Sequence, residues 1–210
     1  SHHHVDNPFI QYAKHVSGTN DVRAELQLTM DYILKTTPKF AKSIVVSSNH
    51  NEHLYRWLTE CKPNREPWNM LLYHELMYLM LKETKLGTSS VEHPNPMELW
   101  TRQNYATDKI QFIGGYESFK VHDVELSFHG DKGINGSRAS AVQFSKIGTK
   151  TIVGHSHSSS IIGGCYQVGT SSYLKLDYNV GPSSWIHSAC MIHKNGRRQM
   201  VFIIKGKYRR

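Results

Sequence analysis

Thr151-Ile152-Val153-Gly154-His155-Ser156-His157 is the stretch whose reading decides the fold. Two of its three opening residues are β-branched aliphatics and the third is threonine, in a run too short for a helix. This reads as a strand buried on both faces, as the parallel strands of α/β sheets are. Gly154 lets the backbone turn closely past a ligand. His155 and His157 then fall beyond the carboxyl end of the strand, where ligands collect in open α/β sheets. Imidazole nitrogens suit Mn, Fe, Zn and similar ions. Two apart, they would face one side of an extended segment; in a turn after Gly154 they would reach two adjacent metals.

Two further stretches repeat the pattern. Ser43-Ile44-Val45-Val46-Ser47 is an apolar run followed by the polar turn Ser48-Asn49-His50-Asn51. Val124-Glu125-Leu126-Ser127-Phe128 is strand-like and is followed by His129-Gly130. Singly, a His-Gly or an Asn-His is ordinary turn chemistry. Three such motifs in chain order, each ending a predicted strand, point to a metal site built from Asn49, His50, His129, His155 and His157. The chain holds 14 histidines, and others fail this test. His74 lies in mid-helix and His93 precedes a proline, while His122, His187 and His193 lie in or beside strands and read as structural.

Between these motifs the periodicity switches from helical to extended. Val22, Leu26, Met30 and Ile33 share one face of a helix expected over 21–36, with Asn20 as N-cap and Pro38 as its stop. Helices are expected over 52–60, from Pro67 to Lys82, and around 97–102. The second half reads as strands at 110–113, 124–128, 151–153, 166–168, 173–178, 185–193 and 200–204, with a helix around 138–146. Asn195-Gly196 is a two-residue hairpin signal. The simplest account is one α/β domain over residues 1–210, strand-rich toward its end.

Composition sets the outer bounds. At 210 residues, 39% hydrophobic and 20% charged, the chain has the make-up of a globular domain. No apolar run approaches the length of a membrane span, and 1–6 lack the apolar core of a secretory signal, so a cytoplasmic protein is expected. A first residue other than Met is expected of a fragment or a processed product, and His2-His3-His4 reads as either a tag remnant or native sequence. Three widely spaced cysteines, Cys61, Cys165 and Cys190, without any Cys-x-x-Cys, argue against a disulfide framework or a thiolate zinc site. A net charge of +8 favours an anionic partner, and Lys205, Lys207, Arg209 and Arg210 read as a basic tail.

Val46-Ser47-Ser48-Asn49-His50, Phe128-His129-Gly130 and Val153-Gly154-His155-Ser156-His157 resemble the last three motifs of calcineurin-like metallophosphoesterases. The stretch from Ser48 to Leu58, and Gly181-Pro182-Ser183-Ser184-Trp185 with Asn195-Gly196-Arg197-Arg198, resemble the phage-encoded branch of that family. The resemblance implies the C-terminal part of a β-sandwich flanked by helices (αββα) and two divalent ions, Mn first, with Mg, Fe or Zn as alternatives. It implies that Asn49, His129 and His155 bind one ion and His157 the other. A hydroxide shared by the ions would attack phosphorus in line, and His50 would act as the general acid on the leaving oxygen. Asn51 or Glu52 would orient His50, where relatives carry Asp directly after this His. The family's opening Asp-x-His and bridging Gly-Asp or His-Asp are not in this sequence upstream of Asn49. An upstream part of the same protein is therefore expected to complete the site, and the chain alone is expected to be nearly inactive.

Arg56, Lys132 and Arg138 lie near these motifs and are candidates for phosphate contacts; as solvated charges they need no further role. DNA is the favoured substrate and partner, in a host cytoplasm, with no membrane partner and with oligomers allowed. A phosphoesterase acting on a small or protein phosphate, and a non-catalytic nucleic-acid-binding module, are the alternatives.

Overall fold

A computed structural model of the chain describes residues 7–60, 62–86, 91–92, 94–115, 117–137, 139–176 and 179–209. Arg138, Cys61, Arg210 and His2–His4 lie outside the described residues. The architecture is mixed α/β, as the sequence implies. By density of contacts the chain divides into two units: residues 1–45 with 49–112, and residues 46–48 with 113–210.

The first unit is built on helices. Asn7 caps α1 (Pro8–Val16), its side chain accepting from the Phe9 and Ile10 N–H groups, and α1 buries no residue. Helix α2 (Val22–Thr36) is capped by Asp21, which accepts from Ala24 N–H. The expected cap, Asn20, instead offers its carbonyl to Trp68 Nε1 and Asn69 Nδ2. Strand β1 (Ser43–Val46) leads into α3 (Asn49–Glu60), and α4 (Met70–Glu83) follows a 3-10 turn at Pro67–Asn69. The two-residue strands β2 (Lys85–Leu86) and β3 (Val91–Glu92) pair antiparallel, before α5 (Pro96–Asn104). Strand β4 (Ile110–Ile113) pairs with β1.

Val22, Leu26 and Met30 of α2 form one core with Leu54, Trp57 and Leu58 of α3, Leu72, Leu76 and Met80 of α4, and Trp100 of α5. Ile33 packs on its edge, so the helical face read from the spacing is the buried one. One buried amide ties this core together. Asn69, 2% exposed, accepts from Val22 N–H at 3.0 Å and donates to Asn20 O and Glu66 Oε2, each at 2.9 Å.

The second unit carries a five-stranded sheet and a three-stranded one. The five are β5 (Lys120–Val121), β6 (Val124–Glu125), β7 (Lys150–Val153), β8 (Ser160–Ile162) and β9 (Cys165–Gln167), in the order β5-β6-β7-β9-β8. Strands β6, β7 and β9 are parallel, and β5 and β8 join as antiparallel hairpins. Parallel neighbours need a crossover, and that from β6 to β7 contains α6 (Ala141–Ser145). Ala141 and Phe144 of α6 pack on Val153 and Cys165 beneath Phe128. The three are β10 (His187–Ile192), β11 (Arg198–Ile204) and β12 (Lys207–Arg209), an antiparallel meander. Arg198 of β11 sets its guanidinium 4.0 Å over the Tyr166 ring and donates to the carbonyls of Thr151 and Gly164.

Several elements differ from expectation for identifiable reasons. The strand expected over 124–128 stops at Glu125: Leu126 N–H still reaches Phe119 O, but the Ser127 N–H turns to the Glu125 carboxylate. No strand forms at 173–176, despite its apolar alternation, because Asn179 accepts from Leu176 N–H at 2.6 Å and donates to Leu174 O at 2.8 Å; residues 177–178 lie outside the described residues. Between β10 and β11 the loop has three residues, not two. His193 N–H donates to Arg197 O, Gly196 N–H donates to His193 O, and Gly196 has φ +75°, the three-residue pattern with a glycine bulge. Two-residue turns with both φ positive occur instead at His122-Asp123 and Lys205-Gly206. The basic tail therefore folds back from Lys205 to Arg209 as a hairpin.

Candidate metal centre

Strands β6 and β7 are parallel neighbours, so the segments leaving their carboxyl ends start from one edge of the sheet. Those segments are joined by the backbone. Gly154 N–H donates to His129 O at 2.8 Å. Gly130 has φ +108°, and a Cβ there would stand 3.0 Å from Gly154 O. Only glycine meets both conditions without strain.

His155 and His157 both adopt left-handed backbone, φ +67° and +62°. Such a conformation is uncommon for a side-chain-bearing residue and costs on the order of 1–3 kcal/mol. The turn is held on each side. Ser156 N–H donates to Gly154 O at 2.8 Å, and Ile186 N–H donates to His157 O at 3.1 Å. Of the two arrangements open to the Gly-His-x-His motif, the structure has the turn. The imidazoles consequently part.

His155 turns to His129. Its Nδ1 lies 3.3 Å from His129 Nε2, and the rings meet edge to face with centroids 5.2 Å apart. His157 turns to Trp185, edge to face at 4.2 Å. Its Nδ1 is buried and has no hydrogen-bond partner among the described residues. Burial, and then the neighbouring His155, lower its pKa from the ordinary histidine value. A neutral imidazole is the form that ligates a metal.

These donors suit a divalent ion. Two nitrogens on one ion, each at about 2.0–2.1 Å and near the tetrahedral angle, stand roughly 3.3 Å apart. That is the separation found between His155 and His129. The His155–His129 contact is also a hydrogen bond between the two rings, whereas the buried His157 Nδ1 has no hydrogen-bond partner among the described residues and is a nitrogen that an ion would satisfy. Among the described residues, no group of three or more His, Cys, Asp or Glu side chains is arranged to hold an ion.

Glu125, which the sequence reading passed over, shapes the path to His129. It is 3% exposed. Its Oε1 accepts from the N–H groups of Phe119, Leu126 and Ser127 and from the Ser127 hydroxyl, and its Oε2 accepts from the Ser118 hydroxyl. Burial alone would raise its pKa, but the donors on Ser118, Ser127 and Phe119 outweigh that and hold it down to about 2. The signal in the sequence was a lone acid within an apolar run, flanked by Ser118 and Ser127.

The other site candidates fall as follows. Asn49 and His50 belong to the first unit and occupy the first turn of α3, where the sequence implied a turn before the helix. His50 is exposed, its ring 5.5 Å from that of His53. Asn51, a candidate to orient it, donates to Met97 Sδ at 3.6 Å. Arg56 is ion-paired with Glu60 one turn on, at 3.0 Å, the arrangement of a solvated helix face. Lys132 is exposed in the loop after His129, and Arg138 lies outside the described residues. Histidines read as structural have such partners: His187 Nε2 meets Ser172 O and His193 Nε2 meets Gln199 Oε1.

Fold and site thus define an α/β protein with a histidine cluster at the carboxyl ends of parallel strands. No family profile matches the chain, and no solved structure is similar to it. The chain is similar to Protein A1 of Escherichia phage T5, with 32% identity over 220 aligned positions that take in 99% of the chain. It spans 37% of the length of that bacteriophage protein. No helix among the described residues is long and apolar enough to cross a membrane.

Proposed function

We propose that the chain supplies the histidine-rich part of a two-metal phosphodiesterase of the calcineurin-like type, acting on DNA during host-DNA degradation by a phage of the T5 kind. The observation that carries the reading is the approach of His155 Nδ1 to His129 Nε2 from two parallel strand ends, out of a backbone strained at both His155 and His157. Strain of this kind collects at functional sites and is retained because the surrounding structure over-determines it. His129 and His155 would hold one ion and His157 would ligate through a nitrogen kept neutral by burial. The ions, probed first as Mn, would supply Lewis acidity and an activated water. The resemblance assigns Asn49 to the ligand set and gives His50, an exposed imidazole, the proton for the leaving oxygen.

DNA is favoured over a small phosphate ester by the net charge of +8 and by Lys132 in the loop that follows His129. Such binding should weaken steeply as salt rises.

The test combines Mn titration calorimetry with cleavage of DNA by the full-length protein. His129→Ala and His155→Ala should each lower Mn affinity by at least tenfold and abolish cleavage. His50→Ala should leave Mn binding intact and reduce cleavage by about 10²–10⁴-fold. Undiminished Mn binding and cleavage in His155→Ala would sink the metal-site reading. Hydrolysis confined to small phosphodiesters would replace DNA as substrate, and salt-sensitive DNA binding without turnover would make the chain a binding module.

A further inference from the structure

Next to Trp185, which meets the His157 ring, lies a feature the metal reading does not use. A cavity of about 530 Å³ opens in the second unit, within the roughly 300–1,000 Å³ of small-molecule sites. Ser158 and Ser184 supply hydroxyls to its wall, and Trp185, Met200 and Phe202 supply apolar surface. The Gly181–Trp185 motif singled out in the sequence is therefore one side of this cavity. The serine-rich turn after His157 is the other.

Two observations say what the cavity would take. Trp185 touches the His157 ring at 4.2 Å, so cavity and candidate ligand share a wall. The lining joins a large aromatic surface to hydroxyls that both donate and accept, which suits a planar, polar-edged ring without fixing which one. Ser158 and Ser184 are bonded to each other at 2.7 Å, which joins the two sides of the cavity.

We infer that this cavity is a nucleoside subsite: it takes one unpaired base of a DNA strand, stacked on Trp185, beside the phosphate held at the histidines. The inference rests on the phosphodiesterase reading for the position of that phosphate. It adds that the substrate strand is single or locally unpaired, because a base within a duplex has no free face to stack. Sequence preference should be weak, since stacking accepts every base.

The test is equilibrium binding by fluorescence anisotropy, with the full-length chain and Mn on phosphorothioate-linked strands, so that the phosphate is held while cleavage is suppressed. The ligands are a labelled single-stranded oligonucleotide and an abasic strand of equal length, which keeps the phosphates and removes the bases. Wild type should prefer the intact strand by about tenfold. Trp185→Phe should keep that preference, and Trp185→Ala should reduce it to less than twofold. The same preference in Trp185→Ala as in wild type overturns the subsite, as does wild type binding both strands equally or neither. If Trp185→Ala fails to fold by circular dichroism, Ile161→Trp, which adds bulk at an exposed lining position, replaces it with the same expected loss. Mn-dependent cleavage is measured separately. Its persistence when base preference is absent retains the phosphodiesterase reading without the subsite, and its absence from every substrate sinks that reading while binding still decides the cavity.

Discussion

Glu125→Gln is the substitution that most directly tests how His129 is held. The wild-type carboxylate is buried and accepts from three backbone N–H groups and two hydroxyls. Its pKa falls from 4.5 to about 2. At about 1.36 kcal/mol per unit, that depression corresponds to roughly 3 kcal/mol of folding free energy at neutral pH. Glutamine keeps one acceptor oxygen and nearly the same volume, so the loss is the charge-assisted share of the bonds, about 2–3 kcal/mol. In a chain of 210 residues that lowers the melting temperature by roughly 4–12 °C. The pH dependence separates this cause from a generic packing defect. A carboxylate with a depressed folded pKa stabilises above its unfolded pKa and loses that contribution as pH falls through the folded one. Wild type should therefore lose this stability between about pH 5 and pH 2, while Glu125→Gln, already without it, should show a flatter profile there. Thermal melts of both proteins across that range decide the matter. Parallel profiles with a constant offset would refute the account of a charged, donor-saturated Glu125.

Three further substitutions probe the same framework. His155 has φ +67°, so His155→Gly should be about 1 kcal/mol more stable than His155→Ala in urea unfolding, reversing the usual order of the two residues; an alanine variant equal to or above the glycine one would show that the positive φ is not held. Gly130→Ala combines a φ of +108° with a Cβ 3.0 Å from Gly154 O, and should cost about 2–3 kcal/mol by denaturant titration, together with at least tenfold weaker Mn binding. Asn69→Leu strands the Val22 N–H and removes donors from Glu66, and should cost about 2–4 kcal/mol by the same titration; a neutral result would mean that the buried amide does not organise the helical core.

What the sequence made legible was what local pattern controls. The apolar run at 151–153 became β7, and the spacing of Val22, Leu26, Met30 and Ile33 located the buried face of α2. The likeness of His129 and His155 as strand-end motifs also located their meeting, because parallel neighbours end on one edge. Elements decided by a distant side chain were not legible. The alternation at 173–176 looks extended until Asn179 captures its backbone, and the run at 124–128 looks continuous until the Glu125 carboxylate intercepts the Ser127 N–H. The short strand β8 (Ser160–Ile162) has no apolar alternation to announce it, and forms by pairing with β9. Ser158, Ser159, Ser160 and Trp185 were visible as residues. That they enclose one cavity depends on β10 and β11 returning beside the turn after β7.

The two left-handed histidines connect these points. A relaxed extended segment after Gly154 would have aimed His155 and His157 to the same side, as their spacing permits. Positive φ at both turns the chain twice within three residues, so that one ring meets His129 and the other meets Trp185. That arrangement is costly and has no evident benefit to packing, since His155 is exposed and the His157 Nδ1 is left without a partner among the described residues. Stability alone would favour glycine or asparagine at either position. The retained imidazoles make sense if the two rings serve different ends. His155 joins His129 in presenting paired nitrogens, and His157 meets Trp185, a wall of the cavity. Metal ligation accounts for strain at both residues, and the contact of His157 with Trp185 is what the stacking reading adds.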